Sequence, residues 1–454
     1  MSEKKFGFID KLAYAMGDFG CNMSFVLNTY LMLFYTQYIG LSLKDWGIII
    51  LVLKIWDGVN DPIMGGLMDS LKPGKMGKFK TYIFYGSFLL IVSGALCFLP
   101  IPEAPYWVKA MVCIVGYLFW DMSYTIVNVP YGAMSSAITA DPIERSELST
   151  WRTLGSYAAN LVIMVLLPML CYDNDNNLIG NRIFIIALFL GALGFLAFQF
   201  MLKYTTERVT VEDEKKENYD YLKSIKAFLN NRAALGVTLT SIITIILSNS
   251  MSNATQVLYQ SFFKNSRISG ILGIVNYVPT VLLMLVTKPL VKRYGKKEIS
   301  TYTMLLGVLC GVLIAFLPIK PDKTGLIIYV ILSTLITAST GMFGILCWAM
   351  VADAIDYQEL KTGKREEGTV YATYSLGRKL AQGFGSSIIA FLLLMTGYVS
   401  ENGAAQTFEV ANNVRIMIGL TNAIGLLLAF VVSLFVNNLD KKTLEDMERR
   451  LGRN

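Results

Sequence analysis

Apolar stretches long enough to span a bilayer, each needing about 20 residues, recur near 13–39, 46–69, 81–100, 107–136, 150–171 and 182–202. A second set follows near 233–263, 270–290, 299–318, 325–351, 369–397 and 411–437. The pattern predicts an all-α integral membrane protein of twelve transmembrane helices. Polar residues break these stretches in a regular way. Residues 54–61 read Lys-Ile-Trp-Asp-Gly-Val-Asn-Asp inside an otherwise apolar span. On a helix Lys54, Asp57 and Asp61 share one face, with Asn60 beside them. Each ionised side chain near the bilayer centre costs roughly 2.5–3.5 kcal/mol, so three together cost about 8–10 kcal/mol unless they find partners. The octet therefore marks a buried polar site, one suited to an ion.

Other spans carry polar stripes that lipid would forbid. Asp121, Tyr124, Thr125 and Asn128 recur at i, i+3, i+4 and i+7 in the fourth span, so that face looks into the bundle. The first span offers Asp18 and Asn22 one turn apart. The seventh offers Asn249, Asn253, Gln256 and Gln260, and the eleventh offers Tyr371, Ser375, Arg378, Lys379 and Gln382. The acids Asp18, Asp57, Asp61 and Asp121 are balanced by Lys54, Arg152, Arg378 and Lys379, as a low-dielectric interior requires.

Composition agrees with a membrane protein and excludes a soluble enzyme: 54% of residues are apolar, 16% are charged and the mean hydropathy is +0.50. Most of the 40 basic residues fall at the N-terminus, in the even-numbered loops and in the tail. By the positive-inside rule both termini face the cytoplasm of a cell-membrane protein, and the net charge of +7 reflects topology rather than nucleic-acid binding. Met1–Leu12 is short and basic and lacks a small-residue cleavage site, so no removable signal peptide is expected.

A weak internal repeat organises the chain. The turn Lys72–Lys80 recurs as Lys292–Lys297, with Gly77 and Gly295 218 positions apart, and Ala133 and Ala349 lie 216 apart. The expected domains are a six-helix half over 1–202, a charged linker over 203–232, a second six-helix half over 233–437 and a tail over 438–454. Such duplication is how many transporters build alternating access.

Two carboxylates one turn apart, an amide oxygen and the Thr125 hydroxyl are hard oxygen ligands suited to an alkali cation, with Asp57 and Asp61 the metal-ligating candidates for Na+. Protonation of one Asp would serve the same electrostatic role, and the absence of His removes a histidine relay. Arg and Lys beside Asp, Asn, Gln, Tyr and Trp suit a polyhydroxylated ligand. No nucleophile motif, phosphate-cradling loop or metal cluster supports an enzyme, and no cofactor is expected beyond a coupling ion, Na+, Li+ or H+.

Lys54–Gly65, Gly77–Lys80, Tyr124-Thr125 and Met350–Tyr357 closely resemble the glycoside-pentoside-hexuronide:cation symporters, over about Lys11–Val436. The resemblance implies the major facilitator fold and coupled uptake of a sugar or glycoside with a monovalent cation across a lipid membrane. It places the cation at Asp57, Asn60, Asp61 and Thr125, and the sugar near Tyr124, Asn128, Arg152 and Lys379. Melibiose-transporting members carry acids where this chain has Asn22 and Asn128, so melibiose is not the expected substrate. Asp18 supplies an acid one turn from Asn22, and Asp121 is placed to meet the substrate, pair with a base or extend the ion site. Arg378 beside Lys379 resembles the glucuronide-transporting branch and is expected to receive a substrate carboxylate. Asp353, Asp356 and Arg365, at a helix end, are expected to gate the pathway as part of a charged latch. The six cysteines lack redox or metal spacing and read as small apolar fillers. The alternatives are a sodium-dependent transporter of a lysolipid or other amphiphile, and a non-transporting sugar sensor.

Overall fold

The computed structural model describes residues 6–25, 27–70, 76–77, 79–139, 141–208, 228–362 and 367–450. At 58–59, 61–70, 136, 142–143, 145–146, 277, 362, 367–369, 371–372, 375 and 448 it describes the backbone alone. The chain divides into two compact units, Met1–Lys216 with Ser400–Gly403, and Glu217–Val399 with Ala404–Asn454.

In the first unit α1 (Phe8–Phe25) is followed by α2 (Asn28–Leu33), which continues as a π-helical turn over Phe34–Tyr38. The first expected span is described as these three pieces, with residue 26 outside the described residues. The Thr36 hydroxyl donates to the Met32 carbonyl at 2.7 Å, the back-bonding that bends helices. Then come α3 (Leu43–Ser70), α4 (Lys80–Cys97), α5 (Tyr106–Ile138), α6 (Pro142–Cys171) and α7 (Gly180–Tyr204). The second unit holds α8 (Arg232–Ser261), α9 (Ser269–Tyr294), α10 (Lys296–Phe316), α11 (Lys323–Thr362), α12 (Glu367–Met395), α13 (Phe408–Phe435) and a tail helix α14 (Lys441–Arg450).

Among the described residues, nine of these helices are long and apolar enough to cross a membrane. The expected spans not among the nine are α1, α3 and α12, which hold Asp18, the charged octet and Arg378-Lys379. Large apolar side chains such as Leu285, Phe316 and Met395 point outward, 76%, 74% and 84% exposed. That distribution fits a surface solvated by lipid. All six cysteines are free and buried, as fillers should be.

Each unit packs its helices in the same order. With α1–α2 counted as the first member, the first helix of the first unit lies against the fifth and sixth, the third against the fourth and sixth, and the second against the fourth. In the second unit α8 packs on α12 and α13, α10 on α11 and α13, and α9 on α11, which is the same set of pairings. Close crossings depend on small residues. A Cβ added at Gly155 in α6 would lie 2.1 Å from the Ala15 carbonyl oxygen of α1. Gly155→Val is therefore expected to destabilise the protein by at least about 1–3 kcal/mol, the usual cost of overpacking. A thermal unfolding curve matching the unaltered protein would refute that crossing.

The repeat is clearest at the two glycine turns. Gly77 and Gly295 have φ of 116° and 102°, a conformation open to glycine but strained for other residues. Just after each, a lysine closes the C-terminal end of its unit's sixth helix. Lys80 Nζ donates to the carbonyls of Leu202 and Thr205 at 3.0 and 2.5 Å, and Lys297 Nζ donates to those of Leu434, at 3.2 Å, and Asn437. A cation on the orphan carbonyls of a helix C-terminus is favoured by the helix dipole.

Candidate functional site

Three polar clusters emerge, two in the first unit and one in the second. The first lies between α3 and α5. Lys54 Nζ pairs with Asp57 Oδ2 at 3.3 Å and stands 5.4 Å from the centre of the Tyr117 ring. Asn60 Nδ2 donates to Thr125 Oγ1 at 3.2 Å, which turns its amide oxygen away from Thr125, and both residues are buried. Tyr117, Asp121 and Thr125 follow one another at i, i+4 and i+8 along α5. Asp121, 3% exposed, has Lys54, Asp57 and Asn60 as its polar neighbours. The structure thus sets Asp121 in the expected ion site. Asp61 follows Asp57 by one turn of α3, and its side chain lies outside the described residues, so no trio of carboxylates is seen among those described.

The second cluster joins α1, α5 and α6. Arg152 Nε donates to Asp18 Oδ1 at 2.9 Å, and its guanidinium lies 5.1 Å from the Tyr131 ring centre. Asn22 Nδ2 donates to Asp18 Oδ2 at 3.0 Å, and Asn160 Nδ2 donates to Asn22 Oδ1 at 3.2 Å. A chain of polar groups thus runs Arg152–Asp18–Asn22–Asn160. Asp18 is nearly buried while the Arg152 side chain stays 38% exposed, which leaves donors for a ligand. Tyr124 stacks on Trp120 at 5.6 Å and meets Phe25 at 5.6 Å, and Trp120 is fixed by a 2.7 Å hydrogen bond to Ser24. Asn128 is partly buried one turn beyond Tyr124 on α5. An acid–base pair with amides and flat aromatic faces suits sugar hydroxyls and ring C–H surfaces.

In the second unit the Arg378 guanidinium sits 5.1 Å from the Trp348 ring and 5.7 Å from the Tyr374 ring. Its Nη1 donates to Tyr374 Oη at 3.2 Å, and Tyr374 Oη shares a 3.0 Å hydrogen bond with Ser241 Oγ. Arg378 has no carboxylate partner among the described residues. A guanidinium held by aromatic faces is weakly hydrated and ready for a planar anion. Lys379 is partly buried beside it on α12, and side chains 371 and 375, expected on the same face, lie outside the described residues.

The expected gate resolves in part. Asp353, near the end of α11, pairs with Lys296 at 2.7 Å within its own unit, and Asp356 follows three residues later. Arg365 lies outside the described residues, as do residues 209–227 of the expected linker. Asn160, Tyr117 and Trp348 were not singled out in the sequence as site residues. The signal for Asn160 was present, since Arg152, Ser156 and Asn160 recur every four residues on α6. The polar face of α8 is not fully bonded: Asn253 Oδ1 and Gln256 Oε1 are buried without hydrogen-bond partners.

Comparison with known proteins places this geometry in context. A sequence profile described as MFS/sugar transport protein matches residues 13–440. The uncharacterized symporter YnaJ of Bacillus subtilis (strain 168) is 30% identical, over 99% of this chain and 95% of its own. A putative sulfoquinovose importer of Salmonella typhimurium (strain LT2) is 30% identical, over 88% and 83%. The crystal structure of a D-xylose-proton symporter is similar in fold, with a TM-score of 0.61 at 14% identity, over 93% of this chain and 96% of that one.

Proposed function

The chain belongs to the MFS/sugar transport protein family, and on that premise we propose that it imports an anionic sugar by cation-coupled symport. Membership makes it a multi-pass membrane transporter with the major facilitator fold, and not an enzyme. The coupling cation, Na+ or H+, binds at Asp57, Asn60, Asp61 and Thr125. The sugar-binding candidates are Asp18, Asn22, Tyr124, Asn128 and Arg152 in the first unit, and Arg378 and Lys379 in the second unit are the candidate bases for an acidic group. Both termini face the cytoplasm of the cell membrane, and twelve helices span it.

The observation that carries this reading is the placement of Tyr124 and Thr125. These consecutive residues of α5 join different clusters. Thr125 accepts from Asn60 at the ion site, while Tyr124 has Asp18 and Arg152 among its electrostatic neighbours, together with Asp57. A cation that orders α3 against α5 therefore also sets the aromatic wall of the sugar site. That is a physical route for coupling, since a ligand shifts a conformational equilibrium only through differential contacts with its states. Inward cation flow contributes about 2.3 kcal/mol per charge per 100 mV. The charged gate at Asp353, Asp356 and Arg365 opens after both ligands are bound.

The test is uptake into membrane vesicles of a labelled neutral glycoside and its glucuronide under an imposed inward Na+ gradient, repeated with a pH gradient. Gradient-driven accumulation of the glucuronide, lost in Asp61→Asn, is expected. Arg378→Gln should cut glucuronide uptake by at least about tenfold, in line with the roughly 1.5–3 kcal/mol of a hydrogen bond to a charged group. Accumulation of the neutral compound alone, untouched by Arg378→Gln, would refute the anionic substrate. No accumulation of either under both gradients would refute sugar symport for this pair and turn attention to amphiphiles.

A further inference from the structure

Asp121 is 3% exposed, and its Oδ2 is buried without a hydrogen-bond partner. Its charged neighbours Lys54 and Asp57 both come from α3, and the Asn60 side chain lies beside them. The Lys54 ammonium is already engaged by Asp57 at 3.3 Å and covered by the Tyr117 ring. Two described carboxylates therefore share one ammonium. A buried carboxylate oxygen with neither a hydrogen bond nor a counter-ion of its own is strongly unfavourable, so the described groups are completed by one further positive charge. Its place follows from the helices. Asp57 stands on α3 and Asp121 on α5, where Asp121 precedes Thr125 by one turn, and the Asn60 hydrogen bond to Thr125 ties the same two faces together.

We propose that Asp121 is a ligand of the coupling cation, which bridges Asp57 of α3 and Asp121 of α5. The inference rests on the cation-symport reading above and deepens it, by giving α5 a charged ligand as well as the Thr125 hydroxyl. One monovalent cation at this bridge meets the need, because Lys54 offsets one of the two described carboxylates and the ion offsets the other. The donors are of the right kind: carboxylate oxygens from Asp57 and Asp121, the Asn60 amide oxygen and the Thr125 hydroxyl are the hard oxygens that alkali cations prefer. A cation held in this way is a crosslink. With it, carboxylates on two helices are drawn to one charge; without it, they repel each other across the contact. The α3–α5 contact that the ion is to order thus carries the charge that makes it depend on the ion.

Equilibrium binding of radioactive Na+ to the purified full-length protein in proteoliposomes tests the assignment, with Asp57→Asn alongside. In Asp121→Asn the Kd for Na+ is expected to rise by at least about tenfold, since affinity for a hard cation follows the charge count of its ligands. A merely structural acid would not alter which ion the site prefers. Asp121→Glu keeps the charge on a longer arm, so it should still bind Na+ while changing the ratio of Li+ to Na+ affinity by at least about threefold, because selectivity follows cavity size. Unchanged Na+ affinity in folded Asp121→Asn overturns the inference. If that variant does not fold, an unchanged Li+ to Na+ ratio in Asp121→Glu overturns it instead. Na+ binding lost in Asp57→Asn but kept in Asp121→Asn removes Asp121 alone and leaves the symport reading standing. No Na+ binding by the unaltered protein also overturns the inference, and uptake under the two gradients then shows separately whether symport falls too.

Discussion

Asp57→Asn is expected to abolish accumulation of substrate against a gradient while leaving exchange of substrate at equilibrium in place. The substitution removes a carboxylate from the proposed cation site and leaves the polar cluster of α1 and α6 untouched. It also strands Lys54, whose side chain is only 12% exposed and whose ion pair with Asp57 is lost. Breaking a buried pair costs about 3–5 kcal/mol, and the neighbouring Asp121 offsets part of that by remaining near the ammonium. Lys54→Met with Asp57→Asn should recover neither the thermal stability nor the accumulation, because it leaves the buried Asp121 without the ammonium beside it. Wild-type accumulation by Asp57→Asn would remove this residue from the coupling site.

The second large effect falls on the sugar cluster. Arg152→Gln leaves Asp18, with a side chain only 9% exposed, without its counter-ion and removes the guanidinium that Tyr131 supports. Truncating one partner of a buried hydrogen-bonded charge pair costs about 2–5 kcal/mol, so sugar affinity should fall by roughly a hundredfold or more. Arg152→Lys should not restore it, because an ammonium cannot reproduce both the Nε–H donated to Asp18 and the flat face over Tyr131. Na+ binding should change little, since the proposed ion site draws on α3 and α5. Isothermal titration with sugar and with Na+ checks both halves; equal losses of the two affinities would mean that Arg152 acts by holding the fold.

The helices and the polar clusters could be read in the sequence for the same reason. In a bilayer, a polar residue within an apolar span is costly enough to need a partner, so the octet and the stripe of α5 pointed inward by themselves. Spacing along one helix did not reveal which stripes meet. Asp121 shares its face with both Thr125 and Tyr124, and only packing against α3 sets it beside Asp57 and Lys54. Asn160 joins the sugar cluster through Asn22 of another helix, a contact carried by tertiary structure. Trp348 carries no signal in its spacing, and packing alone sets the Arg378 guanidinium over its ring. The π-helical turn over Phe34–Tyr38 lies in a stretch whose hydropathy is unbroken, so apolar pattern alone predicts a regular helix there. The glycine turns show the reverse: little more than a glycine and lysines recur, because what the two units share is the closing of a helix end by Lys80 and Lys297, and that needs only one long basic side chain.

The aromatic clamp on Arg378 also bears on how uptake responds to acidity. Arginine keeps its proton throughout the physiological range, and the chain contains no histidine. On the proposed reading, a change in transport across that range has no imidazole to arise from and leads back to the acids: Asp18 in the sugar cluster, Asp57 and Asp121 between α3 and α5, and Asp353 at the end of α11.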